Sequence, residues 1–79
     1  MLTAYVQAAM RHASYRILSD GTYYGEVTDL SGAWADADTL EQCRAELQEV
    51  VEEWLIFGLS KSLPIPPIDG IELVIRQVA

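Results

Sequence analysis

Cysteine and histidine are almost missing from this sequence: Cys43 and His12 stand alone in 79 residues. A lone thiol excludes an internal disulfide, and one Cys with one His cannot make a zinc site of the usual four-ligand kind. Positive charge is scarce as well, with five Lys and Arg against twelve Asp and Glu. From Asp20 to Glu53 ten acids meet one base, Arg44, for a net charge of −9. Such a middle repels a phosphate backbone, whose binding needs cations to displace counterions, so no direct nucleic-acid binding is expected of the chain alone. The five glycines form no Gly-rich phosphate loop. No apolar run reaches the roughly 18–20 residues that span a bilayer, and the first residues lack the basic stretch and long apolar run of a secretory leader. A cytoplasmic protein without membrane contact is expected.

Apolar residues are plentiful: 51% of the chain is hydrophobic. A domain this small buries a modest core, and an apolar excess in it points to surface shared between subunits, hence to a homo-oligomer. The length suits one domain, 1–79, divided into a helical extension, 1–12, and a β-β-β-α-β core, 13–79.

The pattern along the chain gives the elements. Leu2, Tyr5, Val6, Ala9 and Met10 recur at helical spacing, with Thr3 placed to cap them. Ala13–Leu18 reads as a strand with Tyr15 and Ile17 on one face and Arg16 on the other. Asp20-Gly21 then signals a hairpin, because Gly supplies the positive φ that such turns need. Tyr23–Val27 is the second strand, "TDLSG" a turn, and Ala33–Ala35 a short third strand. Thr39 with Gln42 fits a capping box, and Asp38 with Glu41 overlaps it. A helix follows to about Lys61, with Leu40, Cys43, Leu47, Val50, Val51, Trp54 and Leu55 on its apolar face. "PIPP" ends it. Gly58 inside this helix costs roughly 1 kcal/mol relative to Ala and so suggests a close approach. Ile71–Val78 reads as a final strand. The fold expected is α+β: a short N-terminal helix, a three-stranded antiparallel meander, a long helix on the sheet, and a last strand.

Chemistry is harder to find. Glu26, Asp29, Asp36 and Asp38 are the candidates for a metal cluster, but Asp29, Asp36 and Asp38 fall in turns, where Asp serves local hydrogen bonds, and charge runs are usually solvated faces. Cys43 on an apolar helix face behaves as a small hydrophobe. His12, distant in sequence, suits a helix end better than a nucleophile's base. Trp34, Trp54 and the tyrosines suit core or interface packing better than base stacking, for want of cations. Neither catalytic residues, a cofactor nor a metal is expected. On the long helix, Ala45 and Ile56 project among Glu49, Glu52 and Glu53, Phe57 also lies off the main apolar stripe, and acids around an apolar spot suit a protein partner.

The run "YYGEVTDLSGAWADADTLEQCRAELQEVVEEWL" followed by "PIPP" resembles the HicB-like antitoxins over about residues 13–76. Tyr23, Asp29, Leu30, Gly32, Asp38, Thr39, Leu40, Glu41, Trp54, Pro64, Ile65 and Pro66 stand where that family has its Tyr-led strand, acidic turn, Asp-Thr-Leu-Glu helix start, Trp-containing helix and Pro-Ile-Pro. The sequence departs from the family in having Ser31 for a turn proline, Ala37 for a glycine and an added N-terminal stretch, and a short form without the family's C-terminal DNA-binding domain is expected. The resemblance implies a partial RNase H-like fold without RNase H activity. It also implies a partner: a small basic mRNA-cleaving toxin of HicA type, neutralised by occlusion of its RNA-binding surface. The alternative is a solitary oligomeric interaction or small-ligand scaffold with no toxin.

For the toxin-facing surface the expected residues are Asp36, Asp38, Glu46, Glu49 and Glu53, with Ile56 as apolar centre. For self-association they are Ile71, Leu73, Val74 and Ile75 of the last strand, since an unpaired Val- and Ile-rich strand is otherwise an aggregation hazard.

Overall fold

A computed structural model of the chain describes residues 2–73. In order come helix α1 (Leu2–Arg11), strands β1 (Ser14–Ile17), β2 (Tyr23–Glu26) and β3 (Trp34–Ala37), and helix α2 (Leu40–Ser60). The three strands form one antiparallel sheet in the order β1-β2-β3. The α+β class and the helix packed on a meander are as the sequence predicts. Val74, Ile75 and the rest of the expected last strand beyond residue 73 lie outside the described residues.

The first hairpin turns where Asp-Gly predicts. Gly21 N–H donates to the Leu18 carbonyl at 3.0 Å, and Gly21 takes φ +86°. Its register sets Ile17 opposite Tyr23 and Tyr15 opposite Gly25. The second turn closes with Leu30 N–H on the Val27 carbonyl and Ala33 N–H on the Leu30 carbonyl, with Gly32 at φ +85°. Strand β3 runs later than the sequence suggests, from Trp34 through Ala37. Polar Asp36 is therefore not in a turn: pairing with Tyr24 on β2 carries the strand past it.

Thr39 caps α2 as expected, its side-chain oxygen accepting from Gln42 N–H at 3.1 Å. At the other end Ser62 N–H donates to the Leu59 carbonyl and Leu63 N–H to the Gly58 carbonyl, with Ser62 at φ +54°. This paired closure satisfies carbonyls that the last turn leaves open, and Pro64 follows it. At the start of α1, Thr3 lies inside the helix rather than at its cap.

Cys43, Leu47, Val51 and Leu55 recur along the buried face of α2, which lies on β3 and β2. Helix α1 packs beside it and contributes Tyr5, Val6, Ala8, Ala9 and Met10 to the same core as Val27, Leu30 and Ile68. The Tyr5 hydroxyl, at the centre, donates to the Pro66 carbonyl. Leu40, expected on the buried face, is 43% exposed, while Cys43 one turn on is fully buried against the sheet. Ile71 forms a bridge with Ile68, and both Ile71 and Leu73 pack half-buried against this chain's own core.

Two glycines carry opposite constraints. A Cβ at Gly25 would lie 2.8 Å from the Tyr15 ring and 3.2 Å from the Cys43 sulfur, so the sheet admits no side chain there. At Gly58 a Cβ would meet Ile65 at 3.7 Å, an ordinary contact. The close approach expected at Gly58 is thus absent, and the one that exists is at Gly25.

Candidate functional site

Antiparallel pairing returns the β1–β2 hairpin to the end of β3, since Tyr23 is opposite Ala37. Asp20 and Thr22 in the hairpin therefore stand beside Asp36, Asp38 and the first turns of α2. With Gln42 and Glu46 they line a concavity of about 390 Å³. Four carboxylates, Asp20, Asp36, Asp38 and Glu46, thus share one open site. The Asp20 carboxylate accepts from the Thr22 hydroxyl at 2.6 Å and from Thr22 N–H at 3.0 Å. These bonds, the hydroxyl's first, hold its pKa below the usual carboxylate range, so it stays an anion.

Of the residues expected to face a partner, Asp36, Asp38 and Glu46 are brought together. Glu49 and Glu53 are exposed farther along α2. Ile56, 63% exposed, lines a different concavity of about 630 Å³ between α1 and α2, with Leu2, Val6, Met10, Arg44 and Glu52. Its apolar surroundings come from α1 rather than from the acidic stripe alone. Sequence reasoning missed Asp20 here. The signal was available: a meander places the tip of its first hairpin beside the end of its third strand.

The other candidate chemistries are dispersed. Glu26 lies on the sheet face away from the helices, beside the Tyr24 hydroxyl at 3.4 Å. Asp29 instead accepts from His12 Nδ1 at 2.8 Å, while His12 Nε2 donates to Asp69 at 2.7 Å and Arg11 pairs with Asp69 at 3.3 Å. An imidazole bonded through both nitrogens to carboxylates carries two protons. Its pKa is raised, above all by the bond to Asp69, and the Asp69 pKa is lowered in turn, above all by His12. His12 is thereby a clasp joining the end of α1 to two turns. Cys43 is wholly buried, its sulfur 3.6 Å from the Ala35 carbonyl, and burial pushes its thiol pKa up. Among the described residues no three His, Cys, Asp or Glu side chains converge to hold a metal ion, and no helix is long and apolar enough to cross a membrane.

The outer face of the sheet holds a second feature. Strand alternation puts Gly25, Ala35 and Ala37 toward α2 and Arg16, Tyr24, Glu26, Trp34 and Asp36 on the opposite face. Tyr24 and Trp34 stack there with ring centroids 5.9 Å apart, and the Arg16 guanidinium lies 4.8 Å from the Tyr24 ring centre. Trp34, expected in a core or interface, is 52% exposed. Trp54 differs, being half-buried with its indole N–H on the Ser31 carbonyl at 2.9 Å.

A family model described as UPF0150-like matches residues 4–66, a span that holds the whole acidic concavity. Among solved structures, the crystal structure of TTHA0281 from Thermus thermophilus is similar at 39% identity with a TM-score of 0.90, over 96% of this chain and 95% of that one. No curated protein matches.

Proposed function

The chain belongs to the UPF0150-like family, and from that premise we propose that it is a HicB-like antitoxin: a cytoplasmic binding protein, not an enzyme, that holds a small basic mRNA-cleaving toxin of HicA type inactive. The observation that carries this reading is the concavity of Asp20, Asp36, Asp38 and Glu46. An RNA-cleaving toxin is built to accept phosphates on cationic side chains, and carboxylates fixed on a sheet edge and a helix compete for those cations. Such complementarity chiefly speeds association and selects the partner, within about 10 Å at ordinary ionic strength. Retention needs an apolar centre. Ile56, exposed beside Leu2, Val6 and Met10, supplies one. The test is binding kinetics with the cognate toxin alongside rescue of toxin-poisoned cells. Reversing Glu46, Glu49 and Glu53 to Lys slows association and flattens its salt dependence, whereas Ile56→Asp speeds dissociation. All four positions are exposed, so both variants keep the fold. Parental binding and rescue by both place the interface elsewhere.

A second reading, an oligomeric interaction or small-ligand scaffold without a toxin, draws on the same α1–α2 groove, where Leu2 and Ile56 leave apolar surface in water. It expects self-association through this groove or through the segment from Ile71 onward. A neighbouring gene for a small basic protein with one catalytic His separates the two readings, and a sedimentation-velocity run at tens of micromolar (about the working range of modest interfaces) tests the self-association: a single monomer species opposes it.

A further inference from the structure

The Tyr24–Trp34 stack sits in a definite chemical setting. One row of the sheet reads Arg16, Tyr24, Asp36, and the next sets Glu26 opposite Trp34. Two carboxylates thus flank two stacked aromatic rings, and Trp34 keeps 52% of its surface in water. Ring faces carry negative potential, and carboxylates beside them add to it. The chain itself shows which group fits: the Arg16 guanidinium rests on the Tyr24 ring at 4.8 Å. Asp36 also lines the acidic concavity, so the two surfaces are continuous around the edge of β3.

We propose that this outer sheet face is a docking surface for a basic protein partner and receives an arginine side chain of that partner on the exposed Trp34 ring, flanked by Glu26 and Asp36. Arginine fits better than lysine because its guanidinium is planar, stacks on an aromatic face and bonds a carboxylate through a fork of N–H groups. A nucleic acid fits worse: bases stack on aromatic platforms only where cations hold the backbone, and here one arginine faces two carboxylates. The inference rests on the reading of the chain as the partner of a basic protein, and it adds the surface and the side-chain chemistry.

The experiment is ¹H–¹⁵N NMR of the full chain, titrated with a capped Gly-Arg-Gly-Arg-Gly peptide. Matched peptides carry lysine or neutral citrulline in place of arginine, and a short single-stranded RNA serves as a further arm. The expected result is movement of the Trp34 indole signal and of the Tyr24, Glu26 and Asp36 amides, with the Trp54 indole still. Lysine binds several-fold more weakly, and citrulline and RNA leave the spectrum unchanged. Trp34→Leu keeps apolar area but removes the ring face, and it weakens the arginine peptide roughly tenfold. Because Trp34 is exposed, this variant folds, as its unshifted core signals report. Shifts confined to Asp20, Asp38 and Glu46, with Trp34 silent, overturn the docking site and leave the basic-partner reading standing. Shifts at Trp34 from RNA or from citrulline overturn the guanidinium assignment. No shift from any cationic peptide overturns the site and the basic-partner reading together.

Discussion

Replacing a glycine by alanine in a strand or helix ordinarily stabilises a protein, because alanine has less backbone freedom to lose, by about 0.5–1 kcal/mol. The same change is expected to act with opposite signs at the two buried glycines. At Gly25 the new methyl would lie 2.8 Å from two atoms of the Tyr15 ring and 3.2 Å from the Cys43 sulfur. Real carbons do not approach so closely, so the ring has to swing or α2 has to lift from β2. The ring has little room, since the Tyr15 hydroxyl at its tip is already buried. Overpacking of this kind costs about 1–3 kcal/mol, which outweighs the entropic gain and leaves Gly25→Ala destabilised by roughly 1–2 kcal/mol. Against a total of about 4–12 kcal/mol for a domain of this size, that lowers the melting temperature by roughly 5–15 °C. At Gly58 the methyl meets Ile65 at 3.7 Å and Trp54 at 3.9 Å, which is contact without compression. Gly58→Ala therefore gains helix propensity, about 0.5–1 kcal/mol, and melts higher. Urea unfolding followed by far-ultraviolet circular dichroism measures both, with an unchanged slope certifying that stability alone has moved. Removing the ring in Gly25→Ala/Tyr15→Ser should recover part of the loss, as a double-mutant cycle would register. A Gly25→Ala variant as stable as its parent would refute the packing described between β1, β2 and α2.

Two further outcomes concern titrating groups. His12 has a folded pKa above its ordinary 6.5, so its contribution is complete below 6.5 and is lost as pH rises through the raised value; Asp69 has a folded pKa below its ordinary 3.8, so its contribution is complete above 3.8 and is lost as pH falls through the lowered value. Melting temperature should accordingly be highest between those two limits and decline on the alkaline side, and His12→Ala should remove that alkaline decline; an identical slope in the variant contradicts the clasp. Cys43, buried with its thiol pKa pushed up, should resist alkylation in the native protein and react at once in urea, so rapid native labelling at neutral pH would show that α2 does not seal the sheet.

What the sequence made legible was whatever a local signal fixes. Apolar spacing located α1 and α2, Asp20-Gly21 located the first hairpin, Thr39 located the start of α2, and Pro64 its end. Several of the misplaced features depend on long-range pairing. Asp36 is polar and reads as turn, yet its neighbours on β2 hold it in a strand. Gly25, between Tyr24 and Glu26, carries no mark of the ring that covers it, because Tyr15 arrives from another strand. His12 shows no partner within its own helix; both partners come from distant turns. For the candidate site, the acids of residues 36–46 were readable as a run, while Asp20 joined them only through the hairpin register. Ile56 was readable as exposed, but its neighbours Leu2, Val6 and Met10 belong to a helix that sequence patterning cannot orient.

The bonds from Tyr5 to Pro66 and from Arg11 and His12 to Asp69 join residues 61, 58 and 57 positions apart. A chain is made from its first residue onward, at roughly 5–20 residues per second. Helix α1 is therefore made before every one of these partners. Until Pro66 and Asp69 leave the ribosome, the apolar face of Tyr5, Val6, Ala9 and Met10 lacks its far wall, and a helix of ten residues is marginal in water by itself. For those seconds the nascent protein presents an incomplete core, with its acidic middle already exposed. Net negative charge between Asp20 and Glu53 is then expected to keep neighbouring unfinished chains apart while the seam from Tyr5 and His12 to Pro66 and Asp69 is still open.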